Sequence, residues 1–400
     1  MDVPKNCLLI IPRNIFPVVS GYAMHKKNLI EILNRHYRLS IVIISDKKPE
    51  EEEERFYKNN SFCFHYTVIP KWRYYLNAFL GVFSSLPIQV NYYYFRIVQK
   101  IIDSLLPKQD IVIGSLIRSM KYLEKMPEKR GIIFDAIDSI GLNYQKSSGN
   151  VSSILWKIIY TIEAGRLLKY EKYWIERAYA TMFFNKDECD YWSAYGNTLL
   201  MPHGVNNALF SYNKTENRYA SFVSFIGKMN YQPNVDAALW YINNVHSKIG
   251  DKIPFIIVGA YPAKRILAAA ENKKNITVTG FVDDPYMIIN SSAVVVAPMQ
   301  TGAGIQNKVL ESMALGKINI ITSLAAKPII GAVNGIHFLI ADTDEEYCNK
   351  ITDVLIYPEK YESIGKSARS FIKTNYTWDE YESKYISALN QFDKKVTVTQ

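Results

Sequence analysis

Cysteine is scarce in this sequence: four among 400 residues, at Cys7, Cys63, Cys189 and Cys348, with no CxxC pair. That excludes a zinc module and a disulfide framework, so a reducing, cytoplasmic compartment is expected. The apolar run Leu8 to Ile11 stops at Pro12 and Arg13, too short for the core of a secretory leader. Between Arg73 and Arg96 lies a stretch of 22 residues without charge, Tyr74 to Phe95, but Asn77, Ser84, Ser85, Pro87, Gln89 and Asn91 interrupt it. It reads as a buried or interfacial segment, since a spanning helix would bury most of those polar groups in lipid. Also missing are the GxGxxG of dinucleotide enzymes, HExxH and GxSxG, and with them the corresponding chemistries. His25, His65, His203 and His337 form no close pair, and no metal is expected.

What is present is a globular composition, 48% hydrophobic and 21% charged, long enough for two or three domains. The formal charge of +9 is uneven: 27 Lys and Arg face 20 Asp and Glu up to Val205, against 20 and 18 beyond. A basic first half beside an aromatic uncharged stretch suits peripheral contact with an anionic membrane or a phosphate-bearing substrate. Nucleic acid is not expected, because no helix-turn-helix, zinc-finger or RNA-binding signature accompanies the charge. The acidic run Glu50 to Glu54 reads as a solvated helix end or loop.

Short Ile/Val-rich runs alternate with amphipathic stretches: Leu8 to Ile11, Leu39 to Ile44, Asp110 to Ile113 and Gly131 to Phe134. The rhythm restarts at Ser221 to Ile226, Pro254 to Val258, Ile276 to Val278, Ala293 to Ala297 and Ile318 to Ile321. This pattern predicts two α/β domains with parallel sheets. A long helix is expected over Ser152 to Ala180 and a hinge in MPHGVNNALF, near His203 to Asn207, giving domains at 1–205 and 206–375 and a last helix at 376–400.

Three glycine turns follow strands, where open α/β sheets bind ligands. In PMQTGAGIQNKVLESMALGK, Gly302 and Gly304 precede a helix whose apolar face is Ile305, Val309 and Met313, leaving Lys308 and Glu311 as neighbours near its N-terminus. Such a helix start favours an anion, and a diphosphate fits it. The second turn is Gly227-Lys228, a small residue followed by a cation; the third is Pro17 to Gly21, before a helix expected from about Met24. Asp283 and Asp284 in FVDDP are expected to cap the next helix rather than bind metal.

These segments carry a resemblance. FIGKMNYQPNVDAALWYINN through FVDDPYMIINSSAVVVAPMQTGAGIQNKVLESMALGK to the late YTW is similar to the donor-binding half of family 4 glycosyltransferases of the GT-B fold. The first half fits the same bacterial surface-polysaccharide branch through PxxxG, FDAIDS, EAGRLLKYE and PHGVN. The resemblance implies two Rossmann-like β/α/β domains facing across a cleft, closing by a hinge, with a C-terminal helix crossing back. It implies that Glu311 binds the ribose of a nucleoside diphosphate sugar and that Lys228 and Lys308 flank its diphosphate, beside Gly227, Gly302, Ala303, Gly304 and Ile305. The backbone at Gly280 and Phe281 would meet the base, Gly21 would lie under the phosphates or sugar, and Asp138 or Asp135 would face the sugar or acceptor. The catalytic set is thus Asp138, Asp135 and Lys308. Ala303 stands where the family usually has a first glutamate, and Met229, Asn230 and Tyr231 stand where a second cation often follows. The implied activity is retaining transfer of a sugar to a lipid-linked or growing oligosaccharide, without cofactor. A nucleotide-sugar epimerase or a catalytically silent nucleotide-sugar-binding subunit are the alternatives.

Overall fold

The computed structural model describes residues 4–18, 20–127, 131–148, 154–216, 221–250, 253–271, 273–302 and 304–397. It divides into two units, Met1–Pro202 with Glu382–Gln400, and His203–Tyr381.

The first unit is built on a parallel sheet of seven strands: β1 (Asn6–Ile11), β2 (Arg38–Ser45), β3 (Cys63–Val68), β4 (Ile111–Ser115), β5 (Ile132–Ile137), β6 (Ala180–Phe183) and β7 (Thr198–Leu200). Their order is β3-β2-β1-β4-β5-β6-β7. Residues Cys7 to Ile11 are all inaccessible, as expected of a central parallel strand covered on both faces. The order reverses between β1 and β4, which pair from Cys7 with Ile111 to Ile10 with Gly114. The first helix, Gly21–His36, starts earlier than the hydrophobic period suggests, because Ser20 caps it by accepting the Ala23 N–H at 3.2 Å. Gly21 is therefore the first helical residue rather than a turn residue. The long helix runs Ile154–Arg177 and buries Leu167, Trp174 and Ile175.

The second unit has six parallel strands: β8 (Val223–Ile226), β9 (Phe255–Val258), β10 (Ile276–Val278), β11 (Val294–Ala297), β12 (Ile318–Ile321) and β13 (Leu339–Ile340), in the order β10-β9-β8-β11-β12-β13. Its reversal lies between β8 and β11, so the switch point is at the exits of those two strands, with β9 beside β8 and β10 at the sheet edge. Chain entry to this unit is pinned where Val205 pairs with Thr377 and its N–H bonds the Tyr376 carbonyl at 2.8 Å. A Cβ on Gly204 would meet the Trp378 nitrogen at 2.3 Å, so only glycine fits there. The last helix, Trp378–Thr397, passes into the first unit at Glu382, whose carboxylate pairs with Arg35 and lies 2.7 Å from His36.

Candidate functional site

At the carboxyl edge of the second sheet the backbone itself comes closest. Gly259 follows β9 with φ +147°, and a Cβ there would stand 1.8 Å from the Gly227 carbonyl oxygen after β8. A Cβ on Gly227 would in turn meet the Asn234 side chain at 2.6 Å. Two glycines thus let the exits of adjacent strands touch. The Gly227 N–H donates to Val258 (3.0 Å) and the Met229 N–H to Ala260 (2.9 Å). Lys228 is exposed, with its Nζ 5.5 Å from the centre of the Tyr261 ring. Tyr261 has φ +57°, strained for a side chain of its size, and is itself exposed.

The loop after β11 leads into the helix Asn307–Ala314, whose N-cap residue, Gln306, makes no side-chain cap. Gln306 instead donates to the Gly304 carbonyl at 3.1 Å, and Gly302 takes φ +101°. Ala303 lies outside the described residues. Ile305 packs on the core. Lys308, one residue inside the helix, points into the unit: its Nζ donates to Asn234 Oδ1, lies 3.5 Å from Met299 Sδ and 5.0 Å from the Phe225 ring centre. Asn234 holds its own place by donating to the Lys228 carbonyl at 3.0 Å. One amide therefore ties both expected lysine positions together.

Burial pulls Lys308 down to about 7, against the attraction of Glu311. Burial also pushes Glu311 up to about 7, opposed by a hydrogen bond from the Tyr286 hydroxyl and by the Lys308 charge. Burial thus disfavours the charged form of both groups, and each offsets part of the other's shift. Gly280, with φ +68°, has open space where a Cβ would lie, and Phe281 beside it is 75% exposed. Asp284 is the N-cap residue of Pro285–Ser291 but forms no side-chain cap; its carboxylate accepts from Tyr212 at 2.7 Å. That corrects the expectation that it caps this helix. His203 is buried, and burial lowers its pKa against hydrogen bonds to Gly204 and Asn307, the first residue of the Lys308 helix.

In the first unit the two candidate carboxylates separate. Asp135 is 0% exposed and forms an ion pair with Lys26, so it does not face a ligand; burial with a cation from the adjacent helix takes it inside. Asp138 is half-buried, and desolvation raises it to about 6. It stands after Ile137, a β-branched residue at φ +69° across which the Asp138 N–H bonds the Ala136 carbonyl at 2.9 Å. This is a γ-turn of the strained hand, at an irregularity in the β5–β6 register. Leu116, at the exit of β4, is also left-handed (φ 61°) and packs with Ile137 and Phe184. Behind Asp138, Ser139 donates to Glu171 (Oγ, 2.7 Å) and Glu188 (N, 2.6 Å). Burial raises those acids to about 7 and about 8, and Asp138 adds to the latter shift.

The remaining glycine loop, before Gly21, is anchored from an unexpected place. Glu53, inside the acidic run read as solvated, is buried and accepts from Asn14 at 3.2 Å, while the Phe16 ring lies 5.4 Å from that of Phe56. Asn234, Gly259, Tyr286 and Glu53 are the contributors that the sequence reading passed over.

Residues 220–356 match the family model described as "Glycosyl transferases group 1". A 25% identical relative, an uncharacterised 44.6 kDa protein in the cps region of Klebsiella pneumoniae, aligns over 244 residues, 58% of this chain. The chain spans 62% of that relative's length. Among solved structures, sucrose-phosphate synthase from Thermosynechococcus elongatus matches with TM-score 0.68 at 15% identity, over 99% of this chain and 100% of that one. HepE from Anabaena, in complex with UDP, matches with TM-score 0.64 at 11% identity, over 97% and 100%. The chain thus has the GT-B fold, and its match to the group 1 glycosyltransferase model falls within the second unit.

Proposed function

We propose that the protein is a retaining glycosyltransferase that moves a sugar from a nucleoside diphosphate donor to a lipid-linked or growing oligosaccharide in bacterial surface-polysaccharide synthesis. The observation that carries this reading is the pair Lys308 and Glu311, neighbours on the first turns of one helix, with Lys308 bonded to Asn234 beside the Gly227–Gly259 contact. In this reading the diphosphate lies over the touching glycines, with Lys228, Lys308 and the N–H groups of the Asn307–Ala314 helix opposing its charge. Glu311, oriented by Tyr286, accepts from the ribose hydroxyls, and the open backbone at Gly280 and Phe281 receives the base. The HepE complex with UDP and the cps-region setting of the relative support the donor class and the pathway class respectively.

Transfer breaks the bond between the anomeric carbon and the diphosphate oxygen, and the acceptor oxygen forms its bond on the same face. The acceptor proton passes to the departing phosphate oxygen, so no dedicated base is required. Asp138, presented by the Ile137 turn, is assigned the orientation of the sugar or acceptor hydroxyl. The work is done in the cytoplasm, at the inner face of the membrane.

Product analysis tests the reading. With a nucleotide sugar and an acceptor extract, the nucleoside diphosphate should appear in step with a glycoside of the donor's anomeric configuration by NMR. An epimerised nucleotide sugar formed from donor alone would replace this reading by the epimerase. Nucleotide-sugar binding with no turnover on any acceptor would leave a binding subunit.

A further inference from the structure

The helix Lys71–Val82 in the first unit is amphipathic in the wrong sense for a globular fold. The side turned inward holds Tyr74, Asn77 and Gly81: Asn77 donates to the Tyr94 carbonyl at 2.8 Å, and a Cβ on Gly81 would lie 3.1 Å from that of Asn91. The small residue lets the helix lie tightly on the segment Ile88–Tyr92. The outward side carries Trp72, Tyr75, Leu76, Phe79, Leu80 and Phe83, spaced at three and four residues so that they form one stripe. All six are exposed, Phe79 by 63% and Phe83 by 78%. The Arg166 guanidinium fixes the helix from behind, donating to the Val82 carbonyl at 3.1 Å. Isolated exposed apolar residues are ordinary, but a continuous aromatic stripe on a fixed helix marks a surface with a partner.

Charge identifies the partner. From Arg55 to Ile102 the chain has 48 residues with no Asp or Glu and six Lys or Arg. Lys71 and Arg73 open the helix, and Lys71 is largely exposed, its Nζ 3.4 Å from Asp46 on the neighbouring loop. A second copy meeting this face to face would set cations against cations, with no acid in the segment to pair them. An anionic bilayer satisfies both features, since the aromatic stripe enters the acyl boundary while Lys71 and Arg73 meet the headgroups. Among the described residues no helix is long and apolar enough to cross a membrane.

We infer that Lys71 to Phe83 is the segment by which the protein docks in the plane of an anionic membrane, the stripe from Trp72 to Phe83 inserting. The role in presenting a lipid-linked acceptor rests on the glycosyltransferase reading above; the docking itself does not.

Flotation with phosphatidylcholine vesicles, alone or mixed two to one with phosphatidylglycerol, tests it. Recovery of the parent should be at least about tenfold greater with the anionic vesicles and should fall as salt rises. The triple variant Trp72→Ser, Phe79→Ser, Phe83→Ser removes only exposed side chains and should lose roughly tenfold or more of that recovery, with unchanged melting and unchanged binding of nucleoside diphosphate. A triple variant that floats like the parent would overturn the inference. So would a parent that sediments as a dimer which the triple variant dissociates, because the stripe would then join two copies. Flotation as expected in a protein that binds no nucleotide would sink the glycosyltransferase reading and leave the membrane surface standing.

Discussion

Lys308→Ala is expected to lower kcat by about a hundredfold or more while weakening nucleoside diphosphate binding much less, because negative charge grows on the diphosphate as the glycosidic bond breaks. The ammonium is placed by Asn234 and faces Phe225 and Met299, so water cannot easily replace it. Its pH behaviour gives a second readout. In the empty site burial holds Lys308 at about 7. A bound diphosphate would raise it, so binding above neutral pH takes up a proton and affinity declines as pH rises through and beyond that value. Calorimetry in buffers of different ionisation enthalpy should detect the proton with the parent and lose it with Lys308→Ala. Parent-like turnover and proton uptake in the variant would make Lys308 a packing residue.

Glu311→Gln should separate affinity from stability. Hydrogen bonds to a charged group are worth roughly 1.5–3 kcal/mol, so loss of the carboxylate's bonds to ribose should weaken nucleotide binding about ten- to a hundredfold. Stability should move the other way. Burial raises the folded-state pKa of Glu311 to about 7 from an ordinary 4.5, so the folded chain binds the proton more tightly than the unfolded one. That contribution is fully present below the unfolded pKa and is lost as pH rises through the folded value. At pH 8 the parent therefore carries the cost of an ionised buried carboxylate, and the glutamine variant should melt no lower than the parent. Tyr286→Phe, which removes only the hydroxyl that orients the carboxylate, should weaken binding less. Lower stability with unchanged affinity in Glu311→Gln would assign the residue to the fold.

Much of this architecture is legible in the sequence because central parallel strands are buried on both faces and appear as unbroken apolar runs; β1 and β2 are clear cases. The strands that escape notice lack that signature. β3, CFHYTV, is a half-buried edge strand, β6 (ATMF) and β7 (TLL) contain neither Ile nor Val, and β13 has only two residues. Lys308 and Glu311 are recoverable from helical spacing after a glycine loop. Gly259 could have been found as Gly227 was, as a glycine directly after a Val/Ile strand. Asn234 and Glu53 could not, since each owes its role to a loop brought beside it by folding. Nor does any local signal foretell the Ile137 turn, because a β-branched residue disfavours that conformation and only the surrounding core holds it there. The same turn decides which of Asp135 and Asp138 is left accessible.

In the proposed function a nucleoside diphosphate occupies the exits of β8, β9, β10 and β11. Hydrogen–deuterium exchange with and without saturating UDP, GDP or dTDP measures this directly. One of the three should slow exchange together at residues 226–230, 259–261, 279–281 and 304–311. If none slows these segments, or if the protection falls elsewhere in the chain, the donor site is misplaced.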